Sequence, residues 1–343
     1  MNSKEIRVIS AVLLLALAIG MIIYRLSVRE ETPGTESFFG MNTIMTITAY
    51  GEFRDEALYS AKLTVSELEN MFSVTIPDSD VSKINTADGE SVGVDEKLVY
   101  ITETALEYSA LTDGAFDITM YPVSKLWGFD GGENRVPSDE EISEVLKNVG
   151  YKKISVDDKA MTISVPRGTG LDYGAIAKGY AEDETVRTLK NLNIESAIIN
   201  FGGSISMIGS KPSGKPWVIA IKSPEGSGSA GTLALRDCSV VTSGKHERFF
   251  TDADGREYCH IMDPNTGRPV ESEFDSITVI CDSAMMGDAL STAFYVKGWE
   301  WALSYRSTHP GIELVGVSGL TVYLTEGIAD SFTPAEGFEA VIR

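Results

Sequence analysis

The chain of 343 residues is 43% hydrophobic and 23% charged, enough apolar mass for one large folded unit or two intimate ones and too much for a disordered chain. A formal charge of −21 excludes nucleic acid as a partner held through bulk charge, because phosphates demand clustered Lys and Arg. A phosphate-bearing ligand has to be held locally, by a metal, a helix N-terminus or glycine amides.

Val8 to Tyr24 is an apolar run with one serine, Ser10, and no charge, flanked by Lys4 and Arg7 before it and Arg25 and Arg29 after it. As a helix it spans roughly 25 Å, enough for a bilayer. The expectation is a transmembrane signal-anchor over 8–24, a cytoplasmic N-terminus over 1–7, a linker over 25–37 containing Pro33-Gly34, and a folded domain over 38–343 on the extracytoplasmic face of the cell membrane. A cleaved signal peptide is the alternative, although Ala16-Leu17-Ala18 lies inside the run rather than after it. No cysteine follows the run, which excludes a lipid anchor at this position.

Mixed α and β patterning then sets in. Met41 to Tyr50 alternates as a strand, and Arg54 to Phe72 carries apolar residues at helical spacing. Leu98 to Leu111 is a second helix, ended by Asp113-Gly114. Ala115 to Thr119 and Leu126 to Gly132 read as ordered loops of the kind that line sites. Ser138-x-x-Glu141 is a capping box opening a helix to Val149, and Ile154 to Val165 is a hairpin turning at Asp157-Asp158. Glycines at 170, 174 and 179 lead into a helix that runs to about Asn191. Their spacing is not GxGxxG, so a dinucleotide-binding Rossmann turn is unsupported. Strands follow at Ser196–Phe201, after Gly202-Gly203, and at Trp217–Lys222, Thr232–Leu235 and Val240-Val241, the last running into Thr242-Ser243-Gly244. Cys238, Cys259 and Cys281 lack metal-ligand spacing and read as small buried hydrophobes; a disulfide between two of them stays open.

Tyr258 to Pro269 joins a β-prone segment carrying His260 to an explicit turn. Asp263-Pro264 begins it, since proline presets φ, and Gly267 supplies a positive φ. A histidine at a strand end beside such a turn is a fixed group whose ordinary pKa near 6.5 suits proton transfer. Ser276–Cys281 is a further strand, and Asp282-Ser283 caps a helix over about 284–296. On it Asp288 and Thr292 are one turn apart, a pair of hard oxygen donors that needs water, a backbone carbonyl or a substrate phosphate to complete a cation's shell.

In order along the chain, Met41-Asn42-Thr43, Ala115-Phe116-Asp117, Leu126-Trp127-Gly128-Phe129, Leu171-Asp172-x-Gly174-x-Ile176-Ala177-Lys178-Gly179-Tyr180-Ala181, Asn200-x-Gly202-Gly203, Thr242-Ser243-Gly244, Tyr258-x-His260-Ile261-x-Asp263-Pro264-x-Thr266-Gly267 and Asp288-Ala289-x-x-Thr292 resemble the FAD:protein FMN transferase (ApbE-like) family over about Met41 to Gly298. The resemblance implies an α+β fold, a mixed β-sheet with packed helices in a two-lobed, T-fold-like single unit with the FAD cleft between the lobes. It implies an Mg²⁺-dependent transfer of FMN from FAD to a Thr or Ser hydroxyl of an acceptor protein, an extracytoplasmic redox protein, with release of AMP. The metal would be held by the Ala181 carbonyl, Asp288 and Thr292; Met41, Ala115, Phe116, Asp117, Lys178 and Ile261 would contact FAD; His260 matches the catalytic histidine. Members often place a flavin-stacking aromatic where this chain has Thr75, and an acidic or amide residue where it has Ser204. A protein that binds FAD, or splits it to FMN and AMP without a protein acceptor, is the alternative reading.

Overall fold

The computed structural model describes residues 15–21, 32–224 and 228–343. Of the apolar run, 15–21 is helical and the remainder lies outside the described residues, as do 1–7 and 25–31. Among the described residues no helix is long and apolar enough to cross a membrane.

Nine strands form one sheet whose spatial order follows the chain: β1 (Gly34–Gly40), β2 (Thr43–Tyr50), β3 (Ser196–Phe201), β4 (Ser204–Ile208), β5 (Ser239–Gly244), β6 (Ser276–Cys281), β7 (Glu313–Ser318), β8 (Thr321–Leu324) and β9 (Glu339–Ile342). Every pairing is antiparallel except β8 with β9, so the sheet is mixed, as expected. Period-two alternation sends Met45, Ile47, Ile199, Phe201, Ile277, Val279 and Leu314 to one face, where the helices α1 (Arg54–Phe72), α2 (Ala177–Asn191) and α3 (Ala284–Lys297) cover them. Val240, Ile280, Val315, Val317 and Val322 face the other way, onto a three-stranded sheet formed by Trp217–Lys222, Ser229–Leu235 and Phe332–Pro334. A satellite core around Trp127, with Val123, Phe129, Ile142, Tyr258 and Met262, builds a smaller lobe beside the sheet's end.

Three local expectations need correction. The linker ends early, because Gly34–Ser37 belongs to β1 and pairs with β2. Met41 is not in a strand: Met41 (φ 46°) and Asn42 (φ 62°) form the two-residue left-handed turn that fits the twist of a tight hairpin. Leu126-Trp127 is the end of a helix, Tyr121–Trp127, and only Gly128 (φ 83°) breaks it. The sequence pattern missed this helix because it is seven residues long and opens on Pro122 at its first turn.

A close crossing sets the spacing of α2 and α3. A Cβ on Gly179 would stand 2.2 Å from the Ala284 carbonyl oxygen, so only glycine permits the approach. The first turn of α3 is held by Asp183, whose carboxylate accepts from Ser283 Oγ (2.6 Å) and from the backbone N–H groups of Ala284 (2.8 Å) and Met285 (3.1 Å). The three cysteines are free thiols, with Cys259 and Cys281 buried as expected.

Glu182 lies on α2 beneath the sheet, fully buried, with Oε2 accepting from Ser206 Oγ at 2.6 Å and that hydroxyl 2.9 Å from Ser239 Oγ. Burial pushes its carboxyl up to about 8 from 4.5, against the opposing pull of the Ser206 and Ser204 hydroxyls. The folded chain therefore holds a proton that the unfolded chain loses, and stability should fall as pH rises from about 4.5 to about 8. Glu182→Gln, similar in shape and always neutral, should flatten this slope and raise the melting temperature at pH 8 but not at pH 4.5; thermal melts of both proteins across that range check it.

Candidate active site

One cleft of about 640 Å³ opens where the sheet's end, the C-terminus of α1, the N-terminus of α2 and the Trp127 lobe converge. Met41, Ala115, Phe116, Asp117, Lys178, His260, Ile261, Asp288 and Thr292 all line it, so residues scattered over some 250 positions meet in one place. Ala181, the remaining expected site residue, is fully buried on α2 one turn beyond Lys178.

The imidazole of His260 is held by the hairpin Phe249–Thr251 and Glu257–Cys259. Its backbone N–H and its Nδ1 each lie 3.0 Å from the Arg248 carbonyl oxygen. A carbonyl only accepts, so Nδ1 carries the ring proton and Nε2 is left with a lone pair. Burial in the cleft wall pushes the ring's pKa down to about 4; the Arg248 carbonyl opposes this, and the charges of Lys178 and Arg248 add to it. The turn beyond forms as expected, with Gly267 (φ 64°) donating to the Asp263 carbonyl at 2.8 Å and accepting from Trp127 Nε1 at 2.9 Å.

Asp288 is 4% exposed. Its Oδ2 accepts from the Gly179 N–H at 3.0 Å, and Oδ1 is 3.5 Å from Lys178 Nζ, a long and weak ion pair for a buried carboxylate. Lys178 Nζ also donates to the Gly174 carbonyl at 3.1 Å. Burial works against the lysine's charge, yet Asp288 and Glu247 outweigh it and raise the pKa above its ordinary value. The Thr292 hydroxyl lies 3.3 Å from Ser243 Oγ. Among the described residues no group of three or more His, Cys, Asp or Glu is placed to hold a metal ion. What the site offers is hard oxygen: the Asp288 carboxylate and the Thr292 hydroxyl one turn on. That set fits a hard cation that keeps waters or takes phosphate oxygens, as Mg²⁺ does.

Asp117 lines the cleft, but its carboxylate is committed to protein donors, Thr119 N (2.8 Å), Thr119 Oγ1 (2.6 Å) and Tyr151 N (2.9 Å). Sequence reasoning passed over Glu247 and gave Asp172 and Arg248 no role. Burial raises Asp172, against the Gly174 N–H, and pushes Glu247 up to about 7, with Lys178 opposing. No spacing pattern announces these residues; only their convergence on Lys178 and His260 does.

A flavin-transferase class of enzyme has this architecture among solved structures. The ApbE protein of Thermotoga maritima superposes with a TM-score of 0.78 at 35% identity, covering 89% of this chain and 97% of that one. The apo form of the Pseudomonas stutzeri flavinyl transferase ApbE gives 0.78 at 30%, covering 89% and 98%. The sequence profile of the ApbE family matches residues 41–315, and the chain belongs to that family. Among curated proteins, the FAD:protein FMN transferase of Treponema pallidum (strain Nichols) is 31% identical over 275 residues, 75% of each chain. That of Klebsiella pneumoniae (strain 342) is 34% identical over 253 residues, 72% of this chain and 77% of its own.

Because the folded pKa of His260 lies below the unfolded value of 6.5, the ring in the folded chain charges only near 4, and the stability it contributes, fully present above pH 6.5, is lost as pH falls from about 6.5 to about 4. An NMR titration of the ligand-free protein should show the His260 ring titrating well below 6, in contrast to an unstructured histidine.

Proposed function

We propose that the protein transfers FMN from FAD to a Thr or Ser hydroxyl of an acceptor protein and releases AMP. The observation that carries this is the neutral His260, its Nε2 lone pair free, in the same cleft as Lys178 and the Asp288–Thr292 oxygen pair. An acceptor hydroxyl entering the cleft gives its proton to Nε2 as its oxygen attacks the flavin-side phosphorus. The new oxygen–phosphorus bond forms as the bridging bond to the adenosine-side phosphate breaks, and AMP leaves with the electron pair. Nδ1 stays bonded to the Arg248 carbonyl throughout, which holds the ring's orientation and shares the charge it acquires. Lys178 offers its ammonium to the pyrophosphate oxygens.

Mg²⁺, held by Asp288, Thr292 and the Ala181 carbonyl, would neutralise charge on the pyrophosphate as Lewis acid and template. Gly179 N–H and Lys178 keep Asp288 turned toward that position. The acceptor is proposed to be an extracytoplasmic redox protein, with the apolar run 8–24 holding the domain at the outer face of the cell membrane.

Incubating the protein with FAD, Mg²⁺ and such an acceptor should give a covalently fluorescent acceptor band and stoichiometric AMP; AMP without labelled protein would refute the transfer. Asp288→Ala should abolish the Mg²⁺ dependence of turnover and leave the fold unchanged by circular dichroism. His260→Ala should slow single-turnover transfer by about 10²- to 10⁴-fold while FAD affinity, measured by calorimetry, is retained. Transfer at the parent rate in a folded, FAD-loaded His260→Ala protein would remove the base from this scheme.

A further inference from the structure

Five phenyl or phenol rings belong to the cleft wall, and four are sealed in the core: Phe72, Phe116, Phe129 and Tyr173 are each 5% exposed or less. The fifth, Phe39, is 69% exposed. It is the penultimate residue of β1, separated from the hairpin turn by Gly40, on the strand face opposite Phe38, whose ring packs edge-on against Phe201 at 6.4 Å. Alternation along the strand therefore commits Phe39 to the open side. The tip is tied down: Met41 and Asn42 both occupy the left-handed region, costly for methionine and well tolerated by asparagine, and the Met41 N–H donates to Glu69 Oε1 of α1 at 2.8 Å. At Ser73–Thr75 the same wall presents no ring, and the Thr75 hydroxyl lies 3.0 Å from Ser73 Oγ.

We infer that Phe39 is the platform on which the isoalloxazine ring of FAD stacks, making it a flavin-specificity residue of this cleft. This rests on the transfer reading above, which also decides between the two ring systems of FAD. The flavin half leaves attached to another protein, so it must occupy the end of the cleft open to that protein; the AMP half is free to sit deeper. Phe39 stands at the open end, and a preformed exposed ring is what a flat, largely apolar heterocycle needs there.

Calorimetric titrations in Mg²⁺ with FAD, FMN and ADP separate the possibilities. Phe39→Ala should weaken FAD and FMN by about ten- to a hundredfold, the range lost with one aromatic stacking partner, and leave ADP unchanged. Phe39→Trp should keep flavin affinity and quench the fluorescence of the bound flavin, because an indole in van der Waals contact is an efficient electron donor to the excited ring. Ile44→Ser removes an equally exposed apolar side chain, 71% exposed and directly across the strand pair from Phe39 but outside the cleft wall, and should bind all three ligands as the parent does. Unchanged FAD affinity in a folded Phe39→Ala protein overturns the platform, as does a parallel loss of ADP, which would assign the ring to adenine. Parent-like FAD binding with loss of protein labelling in both Phe39→Ala and Ile44→Ser would make the tip an acceptor contact instead. Since binding is read apart from transfer, a parent that binds FAD but labels no acceptor refutes the transfer reading and leaves the stacking result standing.

Discussion

The absence of a side chain at Gly179 lets α2 and α3 cross within contact of each other's backbone, and the meeting of Lys178 and Asp288 in the cleft follows from that approach. With a Cβ 2.2 Å from the Ala284 carbonyl oxygen the helices would separate, and the Gly179 N–H could not reach Asp288. The same crossing brings Lys178 Nζ to within 3.5 Å of Asp288 Oδ1. Gly287 does the equivalent on the sheet side, where a Cβ would stand 2.8 Å from Val241 Cγ2. Two missing methyl groups thus hold one helix between its neighbour and β5, the strand that carries Ser243 toward Thr292.

Electrostatics in the cleft run against the protein's overall acidity. The chain carries −21, yet the residues around His260 include Lys178 and Arg248, and their charge adds to desolvation in keeping the imidazole neutral. Glu247, raised to about 7, lies in the same wall, where burial also raises Asp172. Two cationic side chains, Lys178 and Arg248, line that wall. Desolvation has opposite consequences for these groups, since it favours the neutral form of each: the acid keeps its proton and the base sheds it.

The sheet explains how so many separated segments reach one place. Its strands follow one another in space as in sequence, while long excursions between β2 and β3 and between β5 and β6 carry the cleft's loops, the Trp127 lobe and the histidine hairpin. Both excursions return to the same sheet, so their loops share a border with the β1–β2 tip. The Trp127 Nε1 bond to the Gly267 carbonyl ties the two together across 140 positions.

Much of this was legible in the residues. Periodicity marked α1, α2, α3 and the alternating strands, the Ser138-x-x-Glu141 pattern forms the capping box it promises, and Asp263-Pro264 with Gly267 makes the turn that fixes His260. These are local features, decided by propensity, capping and φ preferences within a few residues. Strand β1 was less legible, since its Gly34–Ser37 half reads as linker until pairing with β2 supplies its ladder. The left-handed Met41-Asn42 turn was hidden because methionine does not advertise a positive φ and Asn42, which tolerates one, is followed by Thr43 rather than glycine. The Tyr121–Trp127 helix was too short for its period to register. The roles of Glu247, Arg248, Asp172 and Phe39 depend on which groups face one another, and so does the choice of Nδ1 as the protonated nitrogen of His260. Burial and hydrogen-bond partnership are properties of the packed chain, so the sequence determined which chemical groups were available and where the chain turned, while tertiary structure alone decided their charge states and company.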